Sequence, residues 1–201
     1  MSKLYFKYGT MDASKSADLL MTVHKYENQG KNIICLRSNL DTRTEDGYIE
    51  SRALTYKHKC FCFDKNTNLY KFIEEQNENK INCILIDEAQ FLTKQQVIEL
   101  TEIVDFFNIP VICYGLKNSY IKGELFEGSK ALLYFADSIQ EIKSVCHFCD
   151  KKATMNLRIK NGKPILESET GNTVVIGDVE EGEDYFISTC RKHYFKPLLN
   201  N

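Results

Sequence analysis

Apolar positions along the first two thirds of the chain switch repeatedly between a spacing of two and a helical spacing. Leu4, Phe6 and Tyr8 alternate with other residues and run straight into Gly9, which predicts a short strand ending in a turn. From Ser16 to about Asn28, Leu19, Leu20, Val23 and Tyr26 recur at helical spacing, and Gly30 is placed to end that helix. The alternation then repeats. Asn32 to Leu36 predicts a strand, Leu69 to Glu78 a helix, and Ile81 to Ile86 a buried strand. Thr93 is a good N-cap for a helix reaching Phe107 that Pro110 stops, and Val111 to Tyr114 predicts a further strand. Strands alternating with helices need right-handed crossovers, which place the strands in a mostly parallel sheet with helices on both faces. The expected class is α/β.

Two regions break the pattern. Ser38 to Tyr56 is polar, contains Gly47 and carries Asp41, Arg43, Glu45, Asp46 and Arg52, which predicts a mobile loop. After Ile142 the chain holds two strand-like runs, Thr154 to Ile159 and Thr173 to Ile176. The stretch between them, and that from Asp178 to Asp184, is polar and glycine-bearing and predicts long loops.

Charge narrows the possible partners. Lysine and arginine (26) nearly balance aspartate and glutamate (28), for a formal charge of -2, so no global field draws the chain to nucleic acid or to an acidic membrane. Any anion must be bound locally. The N-terminal residues lack the apolar stretch of a signal peptide, and no segment is long enough to span a bilayer, so a cytoplasmic protein is expected. In that compartment the eight cysteines stay reduced, and close pairs read as metal ligands. Cys35, Cys83 and Cys113 lie in apolar runs and are expected to pack in the core. Cys60 and Cys62 would share one strand face with no second pair nearby.

The turn Gly9-Thr10-Met11-Asp12-Ala13-Ser14-Lys15-Ser16 lies between a predicted strand and a predicted helix, the setting of a phosphate-binding loop. In such a loop, successive N–H groups wrap the phosphates of ATP, Lys15 reaches the terminal ones and the Ser16 hydroxyl ligates Mg2+. Ser14 stands where such loops carry glycine, and its Cβ would crowd the phosphate or oppose the backbone shape. The plainer reading is a polar turn with Lys15 in solvent. Asp87 and Glu88 follow the apolar run at its carboxyl end, where open α/β sheets place ligands. Asp87 would hold Mg2+, and Glu88 would accept the proton of an attacking hydroxyl. A capping or solvated Glu88 is the alternative, and Glu50 and Glu124 are competing carboxylates. Cys146-x-x-Cys149 and Cys190-x-x-His193 supply four ligands in two knuckles, a donor set for tetrahedral Zn2+ with no position left open, hence structural. The chain thus divides into residues 1–142, a P-loop nucleotide-binding α/β domain, and residues 143–201, a zinc-binding module.

Taken together, Gly9 to Ser16, Ile86-Asp-Glu-Ala-Gln90-Phe91, Tyr114-Gly-Leu116 and Cys190-Arg-Lys-His-Tyr194 resemble the motifs of type II thymidine kinases, in the same order. Glu124 to Ser129, Ala153 to Arg158 and the two knuckles are similar to the bacterial-type members. The resemblance implies a RecA-like P-loop domain with a zinc-ribbon lasso, assembled as a homotetramer. It also implies transfer of the γ-phosphoryl of ATP to the 5′-hydroxyl of thymidine, with deoxyuridine a further acceptor and thymidine triphosphate a feedback ligand. It places Gln90 with the cofactor-binding residues. Met11, Leu116 and Tyr120 would form walls around the ring, Phe91 and Phe126 being further candidates, and backbone of Val175, Ile176 and Gly177 would read the base edge. Tyr185 or Phe186 would fill the lasso's aromatic position. Asp41 and Arg43 match an Asp-x-Arg segment and Ser51-Arg52 a Ser-Arg pair, so Arg43 and Arg52 would stabilise charge on the transferring group. Zinc would then anchor the lasso, and its removal would weaken nucleoside binding more than ATP binding.

Two other classes fit parts of the sequence. Ser14 and the acidic stretch Gly177 to Asp184 suit a catalytically weakened nucleotide binder or sensor. A zinc-ribbon nucleic-acid binder would need a basic face, and Arg191 and Lys192 beside the ligand His193 offer only a short patch.

Overall fold

A computed structural model of the chain describes residues 1–41, 47–77, 80–167 and 184–199. β1 (Leu4–Gly9) leads through a tight turn into α1 (Lys15–Glu27), and Gly30 takes a left-handed backbone (φ 64°) just beyond it. β2 (Ile33–Ser38) follows, then an antiparallel ribbon of β3 (Tyr48–Ile49) and β4 (His58–Lys59), and a short β5 (Phe61–Phe63). Next come α2 (Leu69–Gln76), β6 (Cys83–Asp87), one 3-10 turn (Ala89–Phe91) and α3 (Lys94–Phe107). β7 (Val111–Leu116), α4 (Glu127–Phe135) and β8 (Ser138–Glu141) complete the alternation.

The strands form a six-stranded sheet in the order β5-β2-β6-β7-β1-β8, every neighbouring pair parallel. A strand's period of two sorts its side chains onto opposite faces. Ile34, Leu36, Ile84, Ile86, Val111 and Cys113 pack with Leu69, Ile73, Val97, Leu100 and Leu132 of α2, α3 and α4. Cys35, Cys83, Leu85 and Tyr114 pack with Leu19, Leu20 and Val23 of α1. The three strand cysteines are therefore core residues, and burial pushes the Cys83 thiol up to about 11.

Thr93 caps α3 as expected, in a capping box with Gln96. Its other end differs from expectation: Asn108 adopts the left-handed conformation (φ 53°) and ends the helix before Pro110 is reached. The Ser38 to Tyr56 region holds strand residues at two described places. Ser38 ends β2, Ile49 is buried on the α1 side, and Tyr48–Ile49 pairs with His58–Lys59. Residues 42–46, Arg43 among them, lie outside the described residues.

Beyond β8, β9 (Met155–Lys160), β10 (Lys163–Ile165) and β11 (Asp184–Thr189) form an antiparallel sheet in the order β10-β9-β11, and α5 (Arg191–Phe195) packs on it. Its core is Leu157, Ile159, Ile187 and Tyr194. The run from Thr154 is a strand as expected, whereas Asp184 opens β11 rather than closing a loop. The predicted strand from Thr173 to Ile176 lies outside the described residues. Among the described residues, no helix is long and apolar enough to cross a membrane.

Candidate active site and metal centre

The carboxyl ends of the parallel strands meet along one edge, where Gly9 stands in register with Leu116 and Arg37 with Asp87. Gly9 is dictated by space: a Cβ there would lie 2.7 Å from Ala13 Cβ and 2.9 Å from the Ile142 carbonyl oxygen. The turn it starts passes through two left-handed residues, Asp12 (φ 59°) and Ser14 (φ 56°). For residues with a Cβ that conformation costs about 1–2 kcal/mol each. Ser14 precedes α1 and its side chain caps no amide, so the first N–H groups of the helix have no side-chain acceptor from the N-cap. Lys15 is buried and donates from Nζ to the Thr10 carbonyl at 2.8 Å.

Asp87 ties the loop to the sheet. Ser16 Oγ donates to Asp87 Oδ2 at 2.9 Å, and the Glu88 N–H donates to Asp87 Oδ1 at 3.0 Å. Burial first, and the neighbouring Glu88 second, push the Asp87 carboxyl up to about 7. Glu88 is itself left-handed (φ 51°), and its carboxylate accepts a hydrogen bond from Gln90 Nε2. The other end of that amide, Gln90 Oε1, accepts the Leu116 N–H at 3.0 Å. Gly115 and Gly128 let the 3-10 turn sit this close, since a Cβ would fall 2.8 Å from Gln90 Oε1 and 2.6 Å from the Ala89 carbonyl respectively. Gln90 is 2% exposed and both ends of its amide are engaged, so its contacts are with Glu88 and β7.

Beside this line of groups is an apolar wall. Met11, Tyr120 and Phe186 form one buried cluster, with Leu116, Ile121 and Ile165 against it, and the Tyr120 and Phe186 rings meet edge-on at 5.8 Å. Tyr185 faces the other way, toward Leu157 and Ile159, so Phe186 is the β11 aromatic on the Met11 side. Phe91 and Phe126 stand edge-to-face at 6.0 Å.

Arg158, which the sequence did not single out, braces this wall. It donates from Nη1 to the Tyr120 hydroxyl at 3.3 Å and grips Asp184 with Nε (2.8 Å) and Nη2. The guanidinium holds the Asp184 carboxyl below its ordinary value. Tyr194 adds a hydrogen bond from its hydroxyl to the Tyr120 carbonyl at 2.7 Å.

Arg52 sits in an exposed turn whose Ser51 carbonyl accepts the Leu54 N–H at 3.1 Å. Arg43, Val175, Ile176 and Gly177 lie outside the described residues. Of the competing carboxylates, Glu124 is exposed and Glu50 pairs with Lys57 at 3.6 Å.

Cys146, Cys149, Cys190 and His193 converge, their ligand atoms all within 4.8 Å of one another. Separations are 3.4 Å from Cys146 Sγ to His193 Nδ1, 3.6 Å from Cys190 Sγ to the same nitrogen, and 3.9 Å between Cys149 and Cys190 Sγ. Zn–S and Zn–N bonds of about 2.3 and 2.0 Å at tetrahedral angles would put ligand atoms roughly 3.5–3.8 Å apart, so soft donors at these spacings fit zinc. His147 is exposed and stacks edge-on with Phe148, outside the group. Among the described residues, Cys60 and Cys62 belong to no such group.

The model of the family described as thymidine kinase matches residues 2–194. The thymidine kinase of Streptococcus gordonii strain Challis is 45% identical over 201 residues, covering 100% of both chains. That of Streptococcus pyogenes serotype M3 is 46% identical over 199 residues, 99% of this chain and 100% of its own. A third, from Streptococcus thermophilus strain CNRZ 1066, is 46% identical over 197 residues, 98% and 95% of the two chains. Since the match extends from β1 to the Cys and His knuckles, the chain belongs to the thymidine kinase family.

Proposed function

We propose that the chain is an ATP-dependent kinase that transfers the γ-phosphoryl group to the 5′-hydroxyl of thymidine in nucleotide salvage, deoxyuridine being a second candidate acceptor. One observation carries the reading: hydrogen bonds run from the Gly9–Ser16 loop through Ser16, Asp87 and Glu88 to Gln90 and Leu116, and so join the loop to the apolar wall. A carboxylate at that junction suits a reaction between a phosphate and a nucleoside hydroxyl.

The loop amides, the N-terminus of α1 and Lys15 would hold the phosphates. Ser16 and Asp87 offer hydroxyl and carboxylate oxygens beside the loop, a donor set suited to Mg2+, which when bound neutralises phosphate charge. Glu88 accepts the proton of the 5′-hydroxyl as the new P–O bond forms and the bond to the departing ADP breaks. Gln90, in contact with Glu88 rather than with solvent, would orient that carboxylate. Met11, Leu116, Tyr120, Phe126 and Phe186 would enclose the thymine, with Phe91 at the margin. Arg43 and Arg52 would meet the transferring group, and backbone of Val175, Ile176 and Gly177 the base edge. Zinc on the Cys and His group would be structural and would anchor the module that supplies Phe186. Assembly as a homotetramer, a cytoplasmic site of action and inhibition by thymidine triphosphate complete the proposal. The named relatives give no support to a weakened nucleotide binder.

The test is Glu88→Gln. The substitution keeps the shape and removes the base, and kcat should fall by roughly 10²–10⁴-fold while ATP binding and the melting profile persist. Full activity in that variant would overturn the base assignment.

A further inference from the structure

Met11 lies within the Gly9–Ser16 turn, yet both of its peptide groups are held from the C-terminal sheet. Its N–H donates to Asn156 Oδ1 at 2.9 Å, and its carbonyl accepts a hydrogen bond from the Ser188 hydroxyl. Asn156 and Ser188 face each other in register across β9 and β11 and are buried. The second function of the Asn156 amide is occupied as well, Nδ2 donating to the Asn118 carbonyl at 3.0 Å, so the orientation that offers Oδ1 to Met11 is fixed. Ser188 connects onward to the first knuckle through its carbonyl, which accepts the His147 N–H at 2.9 Å.

The turn needs such support. Two of its residues, Asp12 and Ser14, are non-glycine residues in the left-handed region, and its internal hydrogen bonds converge on the Thr10 carbonyl, from Ala13 N–H at 3.3 Å and Lys15 Nζ at 2.8 Å. A strained turn keeps one shape only when its surroundings over-determine it. The Met11 side chain meanwhile lies in the cluster with Tyr120 and Phe186, so a shift of this one residue moves loop and wall together.

We propose that Asn156 and Ser188 are positioning residues for the phosphate loop: by clamping the Met11 peptide groups they hold the loop in the shape that binds ATP, so the C-terminal sheet serves the ATP side of the site as well as the nucleoside side. The proposal rests on the reading of Gly9–Ser16 as the ATP phosphate site.

The test is equilibrium binding of a non-hydrolysable ATP analogue with magnesium, without nucleoside, to the zinc-loaded full chain. Ser188→Ala is the primary variant because it removes a single oxygen, and Asn156→Ala is the second. Ser188→Thr keeps the hydroxyl, and Lys15→Met tests the loop itself. Losing one buried partner should weaken the analogue roughly tenfold, and Ser188→Thr should recover most of it. Zinc content should stay at the wild-type level, and amide hydrogen exchange should rise across Gly9 to Ser16. In steady state the KM for ATP rises more than kcat falls. Analogue affinity within twofold of wild type in both alanine variants, with Lys15→Met impaired, would overturn the clamp and leave the loop reading standing. Wild-type affinity in Lys15→Met would instead overturn that reading.

Discussion

The six-stranded parallel sheet and the three-stranded antiparallel sheet reach the same site and are held together in different ways. The parallel sheet has a core on each face, and α1, α2, α3 and α4 all contribute to it. A fully buried Val, Leu or Ile side chain stabilises by about 1.5–3 kcal/mol, so the loss of any one leaves many others. Among the described residues, the antiparallel sheet has a smaller core, Leu157, Ile159, Ile187 and Tyr194, with Phe148, Met155, Leu166, Tyr185 and Leu199 partly buried against it. It is completed by point contacts: the four Cys and His side chains whose spacing fits zinc, the Arg158–Asp184 pair and the hydroxyl of Tyr194. Such a unit depends on its fastenings, as small domains without large cores do.

Removing the metal is the severest way to probe that contrast. With a strong chelator the C-terminal sheet should lose its order while the parallel sheet keeps a cooperative melting transition. Thymidine affinity should fall by two orders of magnitude or more, on the order expected when structural zinc is the folding energy of its module. ATP affinity should fall too, by less, since the phosphate loop loses its hold on Met11 but keeps α1 and Asp87. Calorimetric titration of each ligand before and after chelation checks this. Unchanged thymidine affinity without zinc would make the metal a bystander and remove the contrast between the sheets.

This division also decided what could be read in the sequence. The parallel sheet announces itself locally: Ile81 to Ile86 is an apolar run broken only by Asn82, and Thr93 with Gln96 marks a helix start within four residues of chain. The loop, the Asp87-Glu88 pair and the two knuckles are likewise short motifs whose chemistry needs fixed spacing. β8 left no such trace, because it is an edge strand whose large apolar residue, Ile139, faces solvent. α4 follows Phe126, whose side chain offers no cap, so its boundary carried no signal. The clamp on Met11 joins residues far apart in sequence, with one partner on each of β9 and β11, and only the fold brings them together. Arg158 closes the Ala153–Arg158 stretch, but its role is visible only once Asp184 and Tyr120 are seen around it.

The well-packed sheet has a weak point of its own at its site edge. Asp87 is buried beside Glu88, and its carboxyl is pushed up to about 7. A carboxyl whose folded value lies above its unfolded one makes the folded state hold a proton that the unfolded chain releases. Stability is then lost as pH rises from about 4 to about 7 and does not return above that window. In protein free of nucleotide and magnesium, Asp87→Asn should therefore melt like the wild type near pH 4. Near pH 8 it should be more stable, by up to about 4 kcal/mol. Equal gains at both pH values would show that packing rather than ionisation is responsible.

Ser14 gives the smallest effect and the finest test of how far a strong core can override local conflict. The sequence flagged the missing glycine for two reasons, crowding of a phosphate and an unfavourable backbone, and the left-handed φ of 56° bears out the second. Ser14→Gly relieves a conformational cost of about 1–2 kcal/mol, and the greater freedom of glycine in the unfolded chain takes back about 0.5–1 kcal/mol. The net gain should be about 0–1.5 kcal/mol, visible as a small rise in Tm. Asp12 keeps its own left-handed backbone, and the Met11 clamp is untouched, so ATP affinity should rise by no more than a few-fold. A loss of stability in Ser14→Gly would mean that the serine side chain makes a contact worth more than the strain it imposes. The turn would then be built around serine rather than tolerating it.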